Sequence, residues 1–152
     1  MSKDPLVASA ILNWFPRFVT NGVDINDFYS TTDRISTWAE WFDEWYKTAL
    51  LHEGLGELAE KRGFYSSAAR HYFSAAINCH FGKFLFVHDK DRLLKGTQQT
   101  AEFYQKAARY FKQPATRLAI PCQGETMPGN YRRASHLPSG LVLLVPGLDS
   151  TK

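Results

Sequence analysis

Cysteine is scarce in this chain of 152 residues, with only Cys79 and Cys122. Neither has a ligand-spaced neighbour, so a disulfide framework and a Cys-based metal site are both excluded, and a reduced cytoplasmic setting fits. No His, Cys or acidic positions repeat with metal spacing, and nothing implies a cofactor. Charge of one sign is also lacking. The formal net charge is +3 and no Lys/Arg block stands out. A nucleic-acid partner would need a basic stripe or a reading motif, and neither is present. Long apolar runs are missing as well. Leu6–Leu12 is too short to span a bilayer, and Trp14, Pro16 and Arg17 follow it where a signal peptide would need small residues. A membrane association is therefore not expected.

Aromatic residues are plentiful, at 14% of the chain, and most precede residue 112. Their spacing predicts helices. Asp4-Pro5 is a helix start, with Asp as cap and Pro at the first helical position. Leu6, Ala10, Trp14 and Phe18 then recur every four residues, and Pro16 and Asn21-Gly22 limit that helix. Val23–Phe28 reads as a connector with Asp24 or Asn26 as a cap. Trp38, Trp41, Phe42 and Trp45 occupy one face of a long helix from about Ser36 to Arg62, with Gly63 as its C′ residue. A further helix opens at Ser66 or Ser67. It is apolar on most sides, which places it between other elements, and Asp89-Lys90-Asp91 breaks it. A last helix is expected from about Thr97 to Phe111, stopped by Pro114.

Beyond Pro114 the pattern changes to strands. Leu118, Ile120 and Cys122 alternate, Gln123-Gly124-Glu125 is a turn, and Thr126–Ala134 is a second extended stretch interrupted by Pro128-Gly129. The apolar run Leu141–Val145, bounded by Pro146-Gly147, reads as a strand buried on both faces. The expected architecture is thus a mostly α region of four to five helices (1–113) followed by three strands (114–152). Three strands cannot cover Leu141–Val145 on both faces. The pattern therefore implies either the front part of something larger or completion by a partner chain.

Four stretches, WAEWFDEWY (38–46), HYFSAAINCHFGKFLF (71–86), IPCQGETMPGNY (120–131) and PGLDSTK (146–152), together resemble one branch of the α/β-hydrolases. It is the branch that holds dihydroxypseudooxynicotine hydrolase and the fungal yellowish-green pigment hydrolases. The resemblance implies an N-terminal helical cap and the first three strands of the hydrolase sheet. It also implies hydrolysis of a carbon–carbon bond next to a carbonyl, or of an ester, in a small carbonyl substrate with an aromatic or polyketide-like body. No cofactor goes with it, and a homodimer is possible. The family's Gly-x-Ser-x-Gly elbow and triad are not among these residues, so this chain alone is expected to be inactive.

By the same resemblance, Pro146-Gly147-Leu148-Asp149 is the oxyanion loop. Gly147 lets the backbone turn, and the N–H of Leu148, or second that of Asp149, faces the developing oxyanion. The plain alternative is a strand-ending turn in which Asp149 bonds its own backbone. Candidate substrate contacts in the cap are His80, Phe81, Phe84 and Trp41, with Tyr104 a similar case. Against this, a His in an aromatic helix is commonly a core residue, and Trp and Phe at helical spacing are commonly packing. His52 and His71 read as structural or exposed. Gly54-Leu55-Gly56-Glu57-Leu58-Ala59 matches a dinucleotide fingerprint only as text, since it follows no strand. A non-enzymatic, tetratricopeptide-like helical module is the alternative reading, and the lack of a 34-residue repeat counts against it.

Overall fold

Local chemistry sets most helix ends. In the computed structural model, which describes residues 3–84, 88–133 and 140–145, five helices precede a β-hairpin. Asp4 accepts from the Leu6 N–H at 2.8 Å and, with Pro5, starts α1 (Pro5–Thr20). Asp24 does the same for α2 (Ile25–Asp33) through the Asn26 N–H. A 3-10 turn, Trp38–Glu40, leads into α3 (Trp41–Lys61), with Glu40 accepting from the Ser36 and Thr37 N–H groups. Gly63 ends that helix at φ +77°, where the N–H groups of Gly63 and Phe64 reach the carbonyls of Glu60 and Ala59. That pairing is the Schellman closure. It turns the chain into α4 (Tyr65–Phe84), and Asp89 caps α5 (Lys90–Ala108) through the Arg92 N–H.

Three helical expectations are corrected. The Val23–Phe28 connector contains the start of α2, because Asp24 caps it and Phe28 is wholly buried. Pro16 does not limit α1, which runs on to Thr20. The missing Pro16 N–H is one lost bond, and burial of Phe18 beyond it offsets that loss. Asp89-Lys90-Asp91 is a cap rather than a simple break, so α5 begins at Lys90 instead of about Thr97.

The core is aromatic. Phe18 of α1 stacks on Phe81 of α4 at 4.0 Å between centroids and sits edge-on or tilted against Phe28, Trp41 and Trp45. Glycines let the helices approach these rings. A Cβ on Gly82 would lie 2.8 Å from the Trp45 Cβ, and one on Gly96 would lie 2.8 Å from the Phe42 ring. A second layer, Ala49, Ala75, Ala76, Cys79 and Phe103, joins α3, α4 and α5.

The hairpin pairs β1 (Ala115–Cys122) with β2 (Glu125–Arg132) in antiparallel register from Ala115↔Arg132 to Cys122↔Glu125. Gln123 and Gly124 both have positive φ, 49° and 85°. This two-residue turn matches the natural twist of a hairpin. Pro128-Gly129 does not interrupt β2. Both strands are edges, so Pro128 loses no sheet neighbour. The expected third strand is not formed. Leu141–Val145 is 76–86% exposed and unpaired among the described residues. Its physical reason is simple: the sheet has two strands, and among the described residues nothing packs over the run.

The packing separates two glycines of similar sequence context. Gly82→Ala is expected to lower stability by about 1–3 kcal/mol through overpacking against Trp45. Gly54→Ala, with open space around it, should be neutral or raise stability by up to about 1 kcal/mol through helix propensity. Urea unfolding of both variants measures the difference; equal midpoints would refute the close approach at Gly82.

Candidate functional site

Because α4 lies between α3 and α5, its outer residues form a wall. Phe73, Ile77, His80, Phe81 and Phe84 recur along it and line a cleft of about 490 Å³. Arg17 and Asn21 of α1 close one side, Thr97, Thr100, Ala101 and Tyr104 of α5 the other, and Arg117 and Asn130 of the hairpin its edge. The volume suits a small organic ligand. The Arg17 guanidinium lies over Phe84 at 4.5 Å and over Trp14 at 5.2 Å. His80 packs against Phe81 and Phe84, with centroids at 5.2 and 5.9 Å. The hairpin is tied to the helices by Arg132, which donates to the Tyr104 hydroxyl at 2.7 Å and lies over the Phe111 ring at 4.7 Å. Lys83 contributes to the lining yet is 1% exposed. Burial pushes its amine down, and burial pushes the nearby Cys79 thiol up to about 11. Cys79 is therefore an inert packing residue rather than a nucleophile.

The structure brings His80, Phe81 and Phe84 together in this cleft, with Tyr104 opposite. It places Trp41 elsewhere. Trp41 is fully buried, stacks on Trp38 and points its indole N–H at the Phe81 carbonyl, 3.4 Å away. As a substrate contact Trp41 is corrected to a core residue; its helix face turns toward α1 and α4, away from the cleft. Gly147, Leu148 and Asp149 lie outside the described residues. Among the described residues no group of three or more His, Cys, Asp or Glu is placed to hold a metal ion, and no helix is long and apolar enough to cross a membrane.

A second constellation joins α2, α3 and α4. His52 Nε2 faces the Asp27 carboxylate at 2.8 Å, and Asn78 Nδ2 donates to the same oxygen at 3.3 Å. The Nδ1 atoms of His52 and His71 face each other at 3.2 Å. Both cannot carry protons there, since two N–H groups would collide. Burial alone would raise the Asp27 carboxyl, but the His52 hydrogen bond and charge, with Asn78, hold it below the usual value. His71 is pushed down by burial, with the charges of His52 and Arg70 adding to the effect. The spacing of His52 and His71 in sequence is uninformative. Their proximity is legible only in the register of the α3–α4 hairpin, in which they stand on facing helices either side of Gly63.

No family model matches this chain. It is 32% identical over 147 residues to 2,6-dihydropseudooxynicotine hydrolase of Paenarthrobacter nicotinovorans, an alignment covering 93% of this chain and 38% of that protein. The crystal structure of 2,6-dihydroxy-pseudo-oxynicotine hydrolase superposes with a TM-score of 0.71 at 30% identity, over 82% of this chain and 34% of the other. The chain thus spans little more than a third of the relatives it matches. The resemblance to this α/β-hydrolase branch, with a helical cap followed by early strands, is borne out by both comparisons.

The polar constellation predicts a pH response. His71, with a folded pKa below 6.5, opposes protonation, so stability falls as the pH drops from 7 through its lowered pKa. Asp27, depressed below 3.8, adds stability above that value, which is lost as the pH falls through its folded pKa. The thermal midpoint should fall in two steps on acidification, the first shrinking in His71→Gln. A midpoint unchanged between pH 7 and pH 5 would refute the first step.

Proposed function

We propose that this chain is the helical cap (1–113) and first core strands (114–152) of an α/β-hydrolase that cleaves a carbon–carbon bond next to a carbonyl, or an ester. The observation that carries this reading is the cleft itself. It is apolar and aromatic on the α4 side, fixed by rigid helices, and occurs in a chain similar over 93% of its length to a hydrolase of that type. The substrate is a small carbonyl compound whose aromatic or polyketide-like body lies against Phe73, Phe84 and Tyr104. Phe81 backs the site from the core, and the half-buried His80 offers a hydrogen bond to a substrate hydroxyl or carbonyl. A cytoplasmic setting and a homodimer accord with this reading.

The chemistry would be divided between this chain and a serine nucleophile outside these 152 residues. Attack on the carbonyl places negative charge on its oxygen. In α/β-hydrolases one N–H donor to that oxygen comes from the loop after the third strand. The likeness of PGLDSTK to that branch supports reading Pro146–Asp149 as this loop, with Leu148 N–H as the donor, Gly147 permitting the turn, and Asp149 the second choice.

Two measurements test the proposal. The 152-residue polypeptide should not hydrolyse 4-nitrophenyl butyrate above background; hydrolysis that persists in Ser150→Ala would show that the nucleophile has been misplaced. In an active hydrolase carrying this cap, Leu148→Pro removes one N–H donor and should lower kcat by about 10²–10³-fold with KM little changed. Unaltered kcat would remove Leu148 from the oxyanion site.

A further inference from the structure

The geometry around Asp27, His52 and His71 fixes where their protons are. His52 Nε2 and Asn78 Nδ2 point at the same carboxylate oxygen, Asp27 Oδ2, at 2.8 and 3.3 Å. Asn78 is wholly buried and also gives Nδ2 to the Ser74 carbonyl at 2.9 Å, so its amide turns donors to this side. An oxygen that receives from a buried amide is an acceptor, and His52 therefore carries its proton on Nε2. A neutral imidazole holds one N–H, which leaves His52 Nδ1 bare. His71 Nδ1, 3.2 Å away, must then be the donor, and its own Nε2 is left without a proton. The 5.5 Å between the ring centroids is as large as that Nδ1 separation permits, so the two nitrogens meet head-on. A metal ion on that axis would need about 2 Å to each nitrogen, more room than the gap offers. A single proton fits it.

We propose that Asp27, His52 and His71 form a proton relay that takes a proton at the outer nitrogen of His71 and holds the resulting charge on His52. A proton binds the His71 Nε2 lone pair, the His71 Nδ1 proton crosses to His52 Nδ1, and the hydrogen bond between the rings persists with its direction reversed. His52 becomes an imidazolium, and His71 a neutral ring of the opposite tautomer. The groups that face the pair favour that placement. From α2 comes the Asp27 carboxylate, 2.8 Å from His52, and opposite charge at that distance favours the charged form of a ring. From α4 come Asn78, which is neutral, and Arg70. Burial, and then the charges of His52 and Arg70, hold His71 below the usual imidazole range against a weaker pull from Asp27. One proton thus enters without parting α2, α3 and α4. A second would put N–H groups on both facing Nδ1 atoms and open the contact, so the pair is a switch set by the number of protons it binds. None of these residues lines the cleft, and the device is independent of the ligand the cleft takes.

Two-bond proton–nitrogen correlation spectra of the full chain, labelled with nitrogen-15, test the relay by reading which nitrogen of each ring is protonated. The rings are assigned from His52→Gln and His71→Gln or, where a variant fails to fold, from side-chain-to-backbone correlations in the unaltered chain. At pH 9 the downfield shift of an unprotonated nitrogen is expected at His52 Nδ1 and at His71 Nε2. On stepwise acidification to pH 5, His52 should be the first to show a doubly protonated ring. Over the same steps His71 should lose the downfield shift at Nε2 and gain it at Nδ1. Any other pair of tautomers at pH 9 would overturn the relay. A doubly protonated His71 that precedes a doubly protonated His52 would overturn the placement of the charge.

Discussion

The ring of Phe18 is the contact on which the cap depends. It lies 4.0 Å from the Phe81 ring and within 6.2 Å of Phe28, Trp41 and Trp45, so one side chain of α1 touches residues of α2, α3 and α4. Burying a phenylalanine contributes about 1.5–3 kcal/mol, and its ring contacts add to that. The consequence is geometric as well as energetic. Phe81 is fixed from behind by Phe18, and its other side is part of the cleft lining. The cleft wall is therefore as rigid as the core. A binding site carried on packed helices holds its shape better than one carried on loops.

This arrangement gives α4 different tasks around its circumference. His71 and Asn78, seven residues apart, face the polar network with Asp27 and His52. Ala75, Ala76 and Cys79 fill the layer with α3 and α5. Phe73, Ile77, His80 and Phe84 form the cleft wall. A helix with three partners has little room for a polar solvent face, and this explains its weak amphipathicity in sequence. Its exposed polar residues, Ser66, Ser67 and Arg70, lie in its first two turns.

Much of this was legible before the structure. Trp38, Trp41, Phe42 and Trp45 announce α3, and Gly63 its end, because helical period and left-handed caps are local rules. The hairpin was equally clear from alternation around Gln123-Gly124. What escaped was set by contacts distant in sequence. Nothing local distinguishes Trp41, which faces Phe18, from Phe84, which faces the cleft; both are aromatic residues at helical spacing. The short α2 was missed because its polar sequence, INDFYSTTD, depends on Asp24 and on burial of Phe28. Lys83 was passed over because a lysine near a helix end is ordinarily solvated, whereas here Phe42 and Gly96 crowd around its stem.

The strand segments follow a different logic from the helices. Among the helices the aromatic core is closed, and Phe18, Trp45 and Phe81 disappear from solvent. In the hairpin, Leu118, Ile120 and Met127 remain 39–51% exposed, and Leu141–Val145 still more so. A strand has no internal hydrogen-bond partners, so its apolar sequence specifies a need without specifying what meets it. A helix satisfies its backbone alone and needs only one packed face. The same physical difference explains why sequence reasoning succeeded for the helices and overreached for the third strand. Hydrophobicity of Leu141–Val145 measures what that segment would gain from neighbours, while pairing and burial depend on neighbours being there.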